Sequence, residues 1–321
     1  MPAGDRQVTI ETVREAARHV YRVARRTPLV RLEVPGPWAE LYLKLETLQP
    51  IGSFKIRGAY NAVRQLAPAE LAQGVWTVSA GNAAQGVALA ARAAGAACSV
   101  MVMDTAPDTK IEAITRLGAE IVRATYDECW RTVEEHRSER MRGRFIHPFD
   151  DDRFMSGNGT IALEILEDLP EVDAVVAPVG GGGLLAGLGC VLRSARPQAR
   201  IYGAEPETAA PLASSFAAGE ARYFAGWRAS FVDGAGGKSV LPSMWPLLRA
   251  SVDESIVVTL DQVARAMRLV ADRAHVIAEG AAGCAVAAAL GGRVRGDKVV
   301  AVVSGGNIDL PRFASLVGAC P

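Results

Sequence analysis

The sequence has no excess of charge of either sign. Its 321 residues contain 35 Lys and Arg against 35 Asp and Glu, so the formal net charge at pH 7 is zero, and like charges are not clustered into long runs. A protein that binds nucleic acid through its phosphates needs a net or clustered positive charge. The composition therefore argues against a nucleic-acid partner.

Long apolar segments and closely spaced cysteines are also missing. Every apolar run ends well before the roughly 18 residues that a membrane-spanning helix requires, so we expect no membrane partner. The five cysteines lie far apart and form no C-x-x-C pair, which indicates neither a disulfide framework nor a zinc site. The N-terminus resembles a helix capped by Thr9 or Thr12 and not a secretion signal. We therefore expect a cytoplasmic protein.

From about residue 75 onward, short β-rich apolar runs alternate with Ala- and Leu-rich helical stretches, which is the pattern of parallel βαβ units in an α/β fold. The length suggests two domains, or one large domain with an insertion. The predicted strands are Val75–Ser79, Ser99–Asp104, Glu120–Ala124, Phe145–Phe149, Ala174–Val179, Arg200–Ala204 and Lys298–Val303. The predicted helices are Ala83–Ala94, Thr109–Leu117, Thr160–Asp168, Leu184–Ser194 and Leu260–His275. A long loop, of the kind that often borders a site, is predicted over Phe216–Pro246.

The turn after the strand Ala174–Val179 is unusually rich in glycine, because Gly180, Gly181, Gly182 and Gly183 precede a helix that begins near Leu184. Ligands of open α/β sheets bind at such strand ends. Bare backbone N–H groups beside the positive end of a helix dipole suit a phosphate. A tight turn alone would need one glycine, and four cost folding entropy. The turn therefore predicts an anion site.

The same turn is also compatible with a nicotinamide cofactor. Gly181, Gly183 and Ala186 satisfy the dinucleotide pattern G-x-G-x-x-A, and Glu205 ends the next strand about where a ribose-binding acid would lie. Taken alone, this segment leaves a nicotinamide-dependent dehydrogenase open.

Lys55 lies in an unusual environment, since a turn at Pro50 and Gly52 precedes it and its neighbours are Phe54 and Ile56. Such a lysine can be a surface residue whose stem covers apolar groups. Against an apolar wall its pKa would fall, and the free amine could form a Schiff base. Its place in the sequence leaves both interpretations open.

Four segments carry a specific resemblance: GSFKIRGA, SAGNAAQGVA, PVGGGGLLAG and VSGGNID, in this order. They resemble the successive motifs of the fold type II pyridoxal phosphate enzymes, and within them the threonine/serine dehydratase and serine racemase group. The similarity covers nearly the whole chain, including GNGT at Gly157–Thr160 and GAEPE at Gly203–Glu207. Ordered motifs are more specific than one glycine turn, so this interpretation displaces the nicotinamide one.

The resemblance implies two parallel-sheet domains, a large one of residues 1–45 plus 146–321 and a small one of residues 46–145. It implies pyridoxal 5'-phosphate as cofactor and β-elimination of water from L-threonine or L-serine, giving a 2-oxo acid and ammonia. A homo-oligomer, dimer or tetramer, would follow. Since the chain ends soon after Ser304, we expect no C-terminal regulatory domain and no feedback inhibition by isoleucine.

The resemblance also assigns roles to residues around the cofactor. Lys55 would be the catalytic residue and form the Schiff base, Phe54 would lie beside the cofactor ring, and Asn82 would bind the phenolic oxygen. Gly180, Gly181, Gly182, Gly183 and Leu184 would hold the phosphate. Ser304 would face the pyridine nitrogen, where a hydroxyl tempers the electron sink and favours elimination. Alternatively, Ser304 is only a turn residue before Gly305.

The substrate would be bound by Ser79, Ala80, Gly81, Asn82 and Ala83, largely through the main chain at a helix start. Two of these residues depart from the group. Racemases have a second serine where Ala80 stands, so racemisation should be poor. The group has histidine where Ala83 stands, and its loss leaves room for a β-substituent larger than methyl. Dehydration of 3-hydroxyaspartate or of an arylserine therefore stays open.

Three further residues allow two interpretations each. The acid equivalent to Glu205 helps to hold a cation in some relatives, but Pro211 replaces a further acid, so no metal is predicted. Glu279 matches an acid near the cofactor's nitrogen, or is simply a helix-start carboxylate. His147 is interpreted as structural, not as a base. A non-catalytic protein that kept the fold is the remaining alternative, and the intact Lys55 argues against it.

Overall fold

The computed structural model describes residues 6–34 and 40–319, which form two sheets with helices packed on them. A six-stranded sheet has the order β1-β2-β10-β7-β8-β9, and a four-stranded sheet has the order β5-β4-β3-β6. The strands are β1 (Leu29–Arg31), β2 (Glu40–Leu45), β3 (Val75–Val78), β4 (Cys98–Met103), β5 (Glu120–Ala124), β6 (Arg144–Phe145), β7 (Ala174–Pro178), β8 (Arg200–Pro206), β9 (Glu254–Val258) and β10 (Lys298–Val303). Only the β1–β2 pair is antiparallel among these described strands.

The helices are α1 (Ile10–Val20), α2 (Lys55–Arg64), α3 (Pro68–Ala72), α4 (Asn82–Ala93), α5 (Asp108–Thr115), α6 (Tyr126–Glu135), α7 (Asp152–Asp168), α8 (Gly183–Ala195), α9 (Pro211–Ala218), α10 (Trp245–Ser251), α11 (Leu260–Ala274), α12 (Gly280–Leu290) and α13 (Leu310–Gly318). Within the described ranges, none of them is long and apolar enough to cross a bilayer. The central strands β7 and β10 are almost entirely buried, as expected of a parallel sheet covered on both faces. The prediction of an α/β fold with parallel sheets is confirmed.

The predicted strand Phe145–Phe149 is wrong beyond its first residue, because β6 ends at Phe145. Pro148 has no N–H to donate to a ladder. The ring Nδ1 of His147 accepts hydrogen bonds from the backbone N–H of Phe149 (3.2 Å) and of Asp150 (2.7 Å), which turns the chain out of the sheet.

The helix predicted from Thr160 begins two turns earlier, since α7 starts at Asp152 and contains the whole GNGT segment. The Asp151 carboxylate caps it by accepting from the N–H of Phe154 (2.9 Å). Its glycines allow close helix contact: a Cβ at Gly157 would lie 2.4 Å from the carbonyl oxygen of Arg57 in α2. Glycine serves helix packing here.

The long loop predicted over Phe216–Pro246 is confirmed for its middle part. Residues 219–244, which are all described, contain neither helix nor strand and are closed by a single antiparallel bridge between Tyr223 and Ser239. The segment connects α9 to α10 and passes along the edge of the cavity described next.

Candidate active site

A cavity of about 480 Å³ lies where β3, β7 and β10 end and α2, α4 and α8 begin. It brings together all the residues that the sequence analysis assigned to the cofactor or the substrate. They are Phe54, Lys55, Ser79, Ala80, Gly81, Asn82, Ala83, Gly180, Gly181, Gly182, Gly183, Leu184 and Ser304. The ends of several strands therefore place these residues around one volume, and Lys55 and the glycine turn lie in the same cavity.

Lys55 is the first residue of α2 and points into this cavity. Its Nζ donates a hydrogen bond to the carbonyl oxygen of Pro148 (2.7 Å) and lies 5.3 Å and 5.4 Å from the ring centroids of Phe54 and Phe154. Burial lowers the pKa of Lys55 to about 8, although the Glu279 carboxylate opposes the shift. A large share of this amine is therefore neutral, and nucleophilic, slightly above neutral pH.

The turn before Lys55 is tied to the turn that contains Ser304. The N–H of Phe54 donates to the carbonyl oxygen of Ser304 (3.0 Å), and the N–H of Gly306 donates to that of Gly52 (2.9 Å). Ser304 is only 2% exposed. These backbone bonds fix the lysine and the serine relative to each other, although they are about 250 residues apart in sequence.

Asn82, the first residue of α4, is held by two side chains. Its Nδ2 donates to Glu279 Oε1 (2.8 Å), and its Oδ1 accepts from Asn307 Nδ2 (2.7 Å). Burial, then the nearby charge of Asp233, raises the pKa of Glu279 to about 8. Asn307 belongs to the quoted VSGGNID segment, but its contact with Asn82 depends on tertiary structure and was not predicted.

The glycine turn forms an open cradle at the start of α8. Gly182 caps this helix with φ +91°, a left-handed conformation that favours glycine. A Cβ at Gly181 would lie 2.2 Å from the ring of Phe149, and one at Gly183 would lie 2.6 Å from the carbonyl oxygen of Phe149. The first N–H groups of a helix lack intrahelical partners, so this cradle presents donors to an anion.

The turn between β3 and α4 is small and polar. The N–H of Gly81 donates to Ser79 Oγ (3.1 Å), and a Cβ at Gly81 would meet no atom within 4 Å. Ala80 and Ala83 contribute only methyl groups to the cavity wall. The start of α4 can therefore receive a carboxylate without a charged side chain.

Segment 227–238 forms the opposite rim of the cavity and was predicted only as a loop. Its Asp233 is ion-paired with Lys110 of α5. Lys238 Nζ lies 3.9 Å from the ring centroid of Tyr126 and 4.3 Å from that of Trp227. These contacts join the loop to helices that flank the four-stranded sheet.

Two titratable residues that the sequence analysis considered, His147 and Glu205, do not line the cavity. His147 is buried, its Nε2 lies 3.1 Å from the carbonyl oxygen of Val133, and burial lowers its pKa to about 3. Glu205 accepts from the N–H groups of Leu212 and Ala213 (2.8 Å each) and from Ser255 Oγ (2.7 Å). Glu205 thus caps α9. Among the described residues no cluster of three or more His, Cys, Asp or Glu could hold a metal.

The fold and the cavity define an α/β enzyme in which a lysine of lowered pKa and a glycine turn at a helix start line the same cavity. The chain belongs to the family of pyridoxal-phosphate dependent enzymes, whose model matches residues 20–305. It is 40% identical over 310 residues to an L-threonine ammonia-lyase of Thermotoga maritima, covering 94% of this chain and 76% of that protein.

Two further relatives agree with this assignment. A catabolic L-threonine dehydratase TdcB of Staphylococcus aureus is 36% identical over 97% of this chain and 92% of its own length. The structure of maize serine racemase superposes with a TM-score of 0.87 at 30% identity and covers 96% of both chains. The cofactor of this lyase family is pyridoxal phosphate.

The cavity residues fit that cofactor. The cradle at Gly180–Gly183 is closed to side chains by Phe149 and is placed at a helix N-terminus, as a phosphate requires. Lys55 offers an amine that burial keeps partly neutral. Ser304 and Asn82 line the same volume and provide polar groups for the rest of a pyridine ring with a phenolic oxygen.

Proposed function

We propose that this protein is a threonine and/or serine ammonia-lyase that eliminates water from its substrate, after which the resulting enamine takes up water and gives a 2-oxo acid and ammonia. The observation that carries the proposal is the shared cavity. The amine of Lys55, which burial keeps partly neutral, lines one cavity with the start of α4 and the glycine turn, which in this proposal bind the substrate carboxylate and the cofactor phosphate. The similarity to threonine ammonia-lyases and dehydratases supports the choice of substrate.

The residues act as follows in this proposal. The backbone of Ser79–Ala83 binds the substrate carboxylate at the start of α4. Pyridoxal phosphate, when bound, supplies an electron sink for the negative charge that develops at Cα. Lys55 Nζ removes the Cα proton, and hydroxide leaves from Cβ. The gain in rate comes from the electron sink and from holding these groups in position, not from a strong acid.

The other assigned residues hold the cofactor. Ser304 would offer a hydroxyl, not a carboxylate, to the pyridine nitrogen. Asn82 donates to the phenolic oxygen, and its contacts with Glu279 and Asn307 fix its amide plane. Phe54 would contact the ring, and the N–H groups from Gly180 to Leu184 would bind the phosphate.

The proposal is tested by borohydride reduction of the purified protein, followed by peptide mass spectrometry and an assay for 2-oxo acid. We expect a pyridoxyl adduct on Lys55 and formation of 2-oxobutanoate from L-threonine or pyruvate from L-serine. Lys55→Ala should lose both, whereas Lys298→Ala, which changes a lysine outside the cavity, should keep both. Absence of the adduct from wild type would contradict the proposal.

Serine racemisation is a weaker candidate because Ala80 has no proton to give on the face opposite the lysine. We expect D-serine to form far more slowly than pyruvate in a chiral assay of wild type. Ala80→Ser should raise D-serine formation, and a wild type that already racemises as fast as it eliminates would contradict this expectation.

The organisation of the molecule is proposed on similar grounds. The two sheets support a large domain of residues 1–45 plus 146–321 and a small domain of residues 46–145. We propose a homo-oligomer, dimer or tetramer, and a cytoplasmic location from the family resemblance. Sedimentation of the holoenzyme tests the oligomeric state, and cell fractionation tests the location.

A further inference from the structure

One wall of the cavity is apolar and includes one face of a helix. Helix α6 contributes Tyr126, Cys129, Trp130 and Val133, which all line the cavity. Their spacing of three and four residues places them on one face of the helix. This face therefore points at the ligand volume along two turns of α6.

The ends of the neighbouring strands continue the same wall. Val78 of β3 and Met101 and Met103 of β4 line the cavity, and β3 pairs directly with β4. Val78, Met101, Cys129 and Val133 belong to one cluster of buried apolar side chains, against which Met103 and Trp130 pack. The wall is thus continuous from the sheet to α6. Methionine adapts its shape to varied partners.

Ala83 enlarges the volume next to the substrate-binding turn. It is the second residue of α4, lines the cavity and is 4% exposed. Because alanine ends at Cβ, the side chain of Ala83 itself occupies little of the volume at the start of α4. The side chains of threonine and serine are too short to make contacts there, and the missing van der Waals contacts weaken binding.

The two lysines on this side of the cavity already have partners. Lys110 is ion-paired with Asp233, and Lys238 lies over the rings of Tyr126 and Trp227. Arg228 is exposed at the rim. A second carboxylate on the substrate, as in 3-hydroxyaspartate, would have to compete with Asp233 and the two rings for these lysines, whereas an apolar group would only need to displace water.

We infer that this site takes 3-hydroxy amino acids whose β-substituent is apolar and bulkier than methyl, aryl or branched alkyl, in preference to threonine. The inference rests on the proposed function, because the reaction is the same elimination. For 3-phenylserine the Cα–H and Cβ–O bonds break and water leaves. The resulting enamine then takes up water and releases ammonia, which gives phenylpyruvate without any oxidant or reductant.

The first experiment compares kcat/KM of the holoenzyme for 3-phenylserine, 3-hydroxyleucine, threonine, serine and 3-hydroxyaspartate. We expect 3-phenylserine to exceed threonine by about tenfold, as filling an apolar pocket typically gives. If threonine equals or exceeds both bulky substrates, the inference is wrong while the proposed function stands. A preference for 3-hydroxyaspartate would also overturn the inference. If no substrate yields a 2-oxo acid, the proposed function fails as well.

The second experiment measures binding without turnover. Phenylalanine and 2-aminobutyrate lack the β-hydroxyl group and cannot eliminate water, so their Kd values follow from the absorption change of the bound cofactor. We expect phenylalanine to bind about tenfold more tightly. Equal Kd values, or tighter binding of 2-aminobutyrate, would overturn the inference independently of catalysis.

A pair of variants locates the effect. Ala83→His fills the space and should lower kcat/KM for 3-phenylserine about tenfold relative to threonine. Ala93→His makes the same exchange at the exposed end of α4, outside the cavity, and should leave the ratio unchanged. An unchanged ratio in Ala83→His would contradict the assigned pocket, and if that variant does not fold, the wild-type Kd comparison decides.

Discussion

Arg57, two residues after Lys55, forms a fully buried ion pair with Glu164. Arg57 Nη1 donates to Glu164 Oε1 (2.5 Å) and its Nη2 to Glu164 Oε2 (3.0 Å), while Glu46 binds the other edge of the guanidinium at 2.8 Å. Burial disfavours the charge of Arg57, but Glu46 and Glu164 outweigh it and raise the pKa of Arg57. This cluster joins the end of β2, the start of α2 and the middle of α7.

Replacing Arg57 with methionine should strongly destabilise the protein. The substitution leaves Glu46 and Glu164 buried, with Lys44 at 2.6 Å from Glu164 as the remaining cation. Removing one partner of a buried ion pair typically costs about 3–5 kcal/mol. The free energy of unfolding in urea measures the effect. Arg92→Ala, at an exposed site of α4, should change stability by no more than about 0.5 kcal/mol. Equal effects of the two substitutions would contradict a structural role of the cluster.

The contrast between the glycine turn and Arg57 shows what the sequence can predict. Strand, glycine turn and helix follow one another locally around Gly180–Gly183, so this arrangement could be predicted from the sequence. Arg57 stands in the quoted GSFKIRGA segment, but Glu164 is 107 positions away. Such pairing is set by tertiary packing, and no spacing rule indicates it.

Elements were missed for related physical reasons. Strand β2 reads Glu-Leu-Tyr-Leu-Lys-Leu, and its charged Lys44 is fully buried against Glu164. On the polar side of this strand Glu40 and Tyr42 are half-buried, and only Lys44 is fully enclosed, which the alternation of polar and apolar residues does not indicate. Asn307 was missed because its contact with Asn82 joins two turns 225 residues apart.

The pKa of Lys55 predicts how its reactivity depends on pH. In the apoenzyme, labelling of Lys55 by an amine reagent should rise with pH and reach half its maximum near pH 8, because only the neutral amine reacts. In Glu279→Gln the midpoint should fall, since the Glu279 carboxylate favours the charged amine. Peptide mass spectrometry of labelled samples measures both midpoints. A midpoint in the folded wild type equal to that in urea would contradict the effect of burial.

Glu205 should make stability fall as pH rises toward neutrality. Burial raises its pKa to about 7 from 4.5, so between these values the folded state binds more protons than the unfolded state. The stabilisation from the protonated form is complete below pH 4.5 and is lost as pH rises through about 7. Glu205→Gln should remove this component, which is on the order of 1–3 kcal/mol. Urea unfolding at pH 5 and pH 8 compares the variant with Glu120→Gln, an exposed control. Wild-type and Glu205→Gln slopes that coincide would refute the prediction.

Gly181 should be essential for cofactor binding because of its contact with Phe149. A Cβ there would lie 2.2 Å from the ring of Phe149, so Gly181→Ala must displace either the ring or the cradle. We expect the Kd for pyridoxal phosphate, measured by titration of the apoenzyme, to rise tenfold or more. Gly318→Ala, where a Cβ meets nothing within 4 Å, serves as the control and should bind like wild type.

Truncating the ring separates the steric cause from a general loss of folding. In the double variant Gly181→Ala/Phe149→Ala the added methyl group has space. Adding Gly181→Ala to Phe149→Ala should therefore raise the Kd by a smaller factor than adding it to wild type. Additive effects of the two substitutions would mean that Gly181 is required for a reason other than its approach to Phe149. Since Phe149 also closes the cradle at Gly183, Phe149→Ala alone is the reference for the comparison.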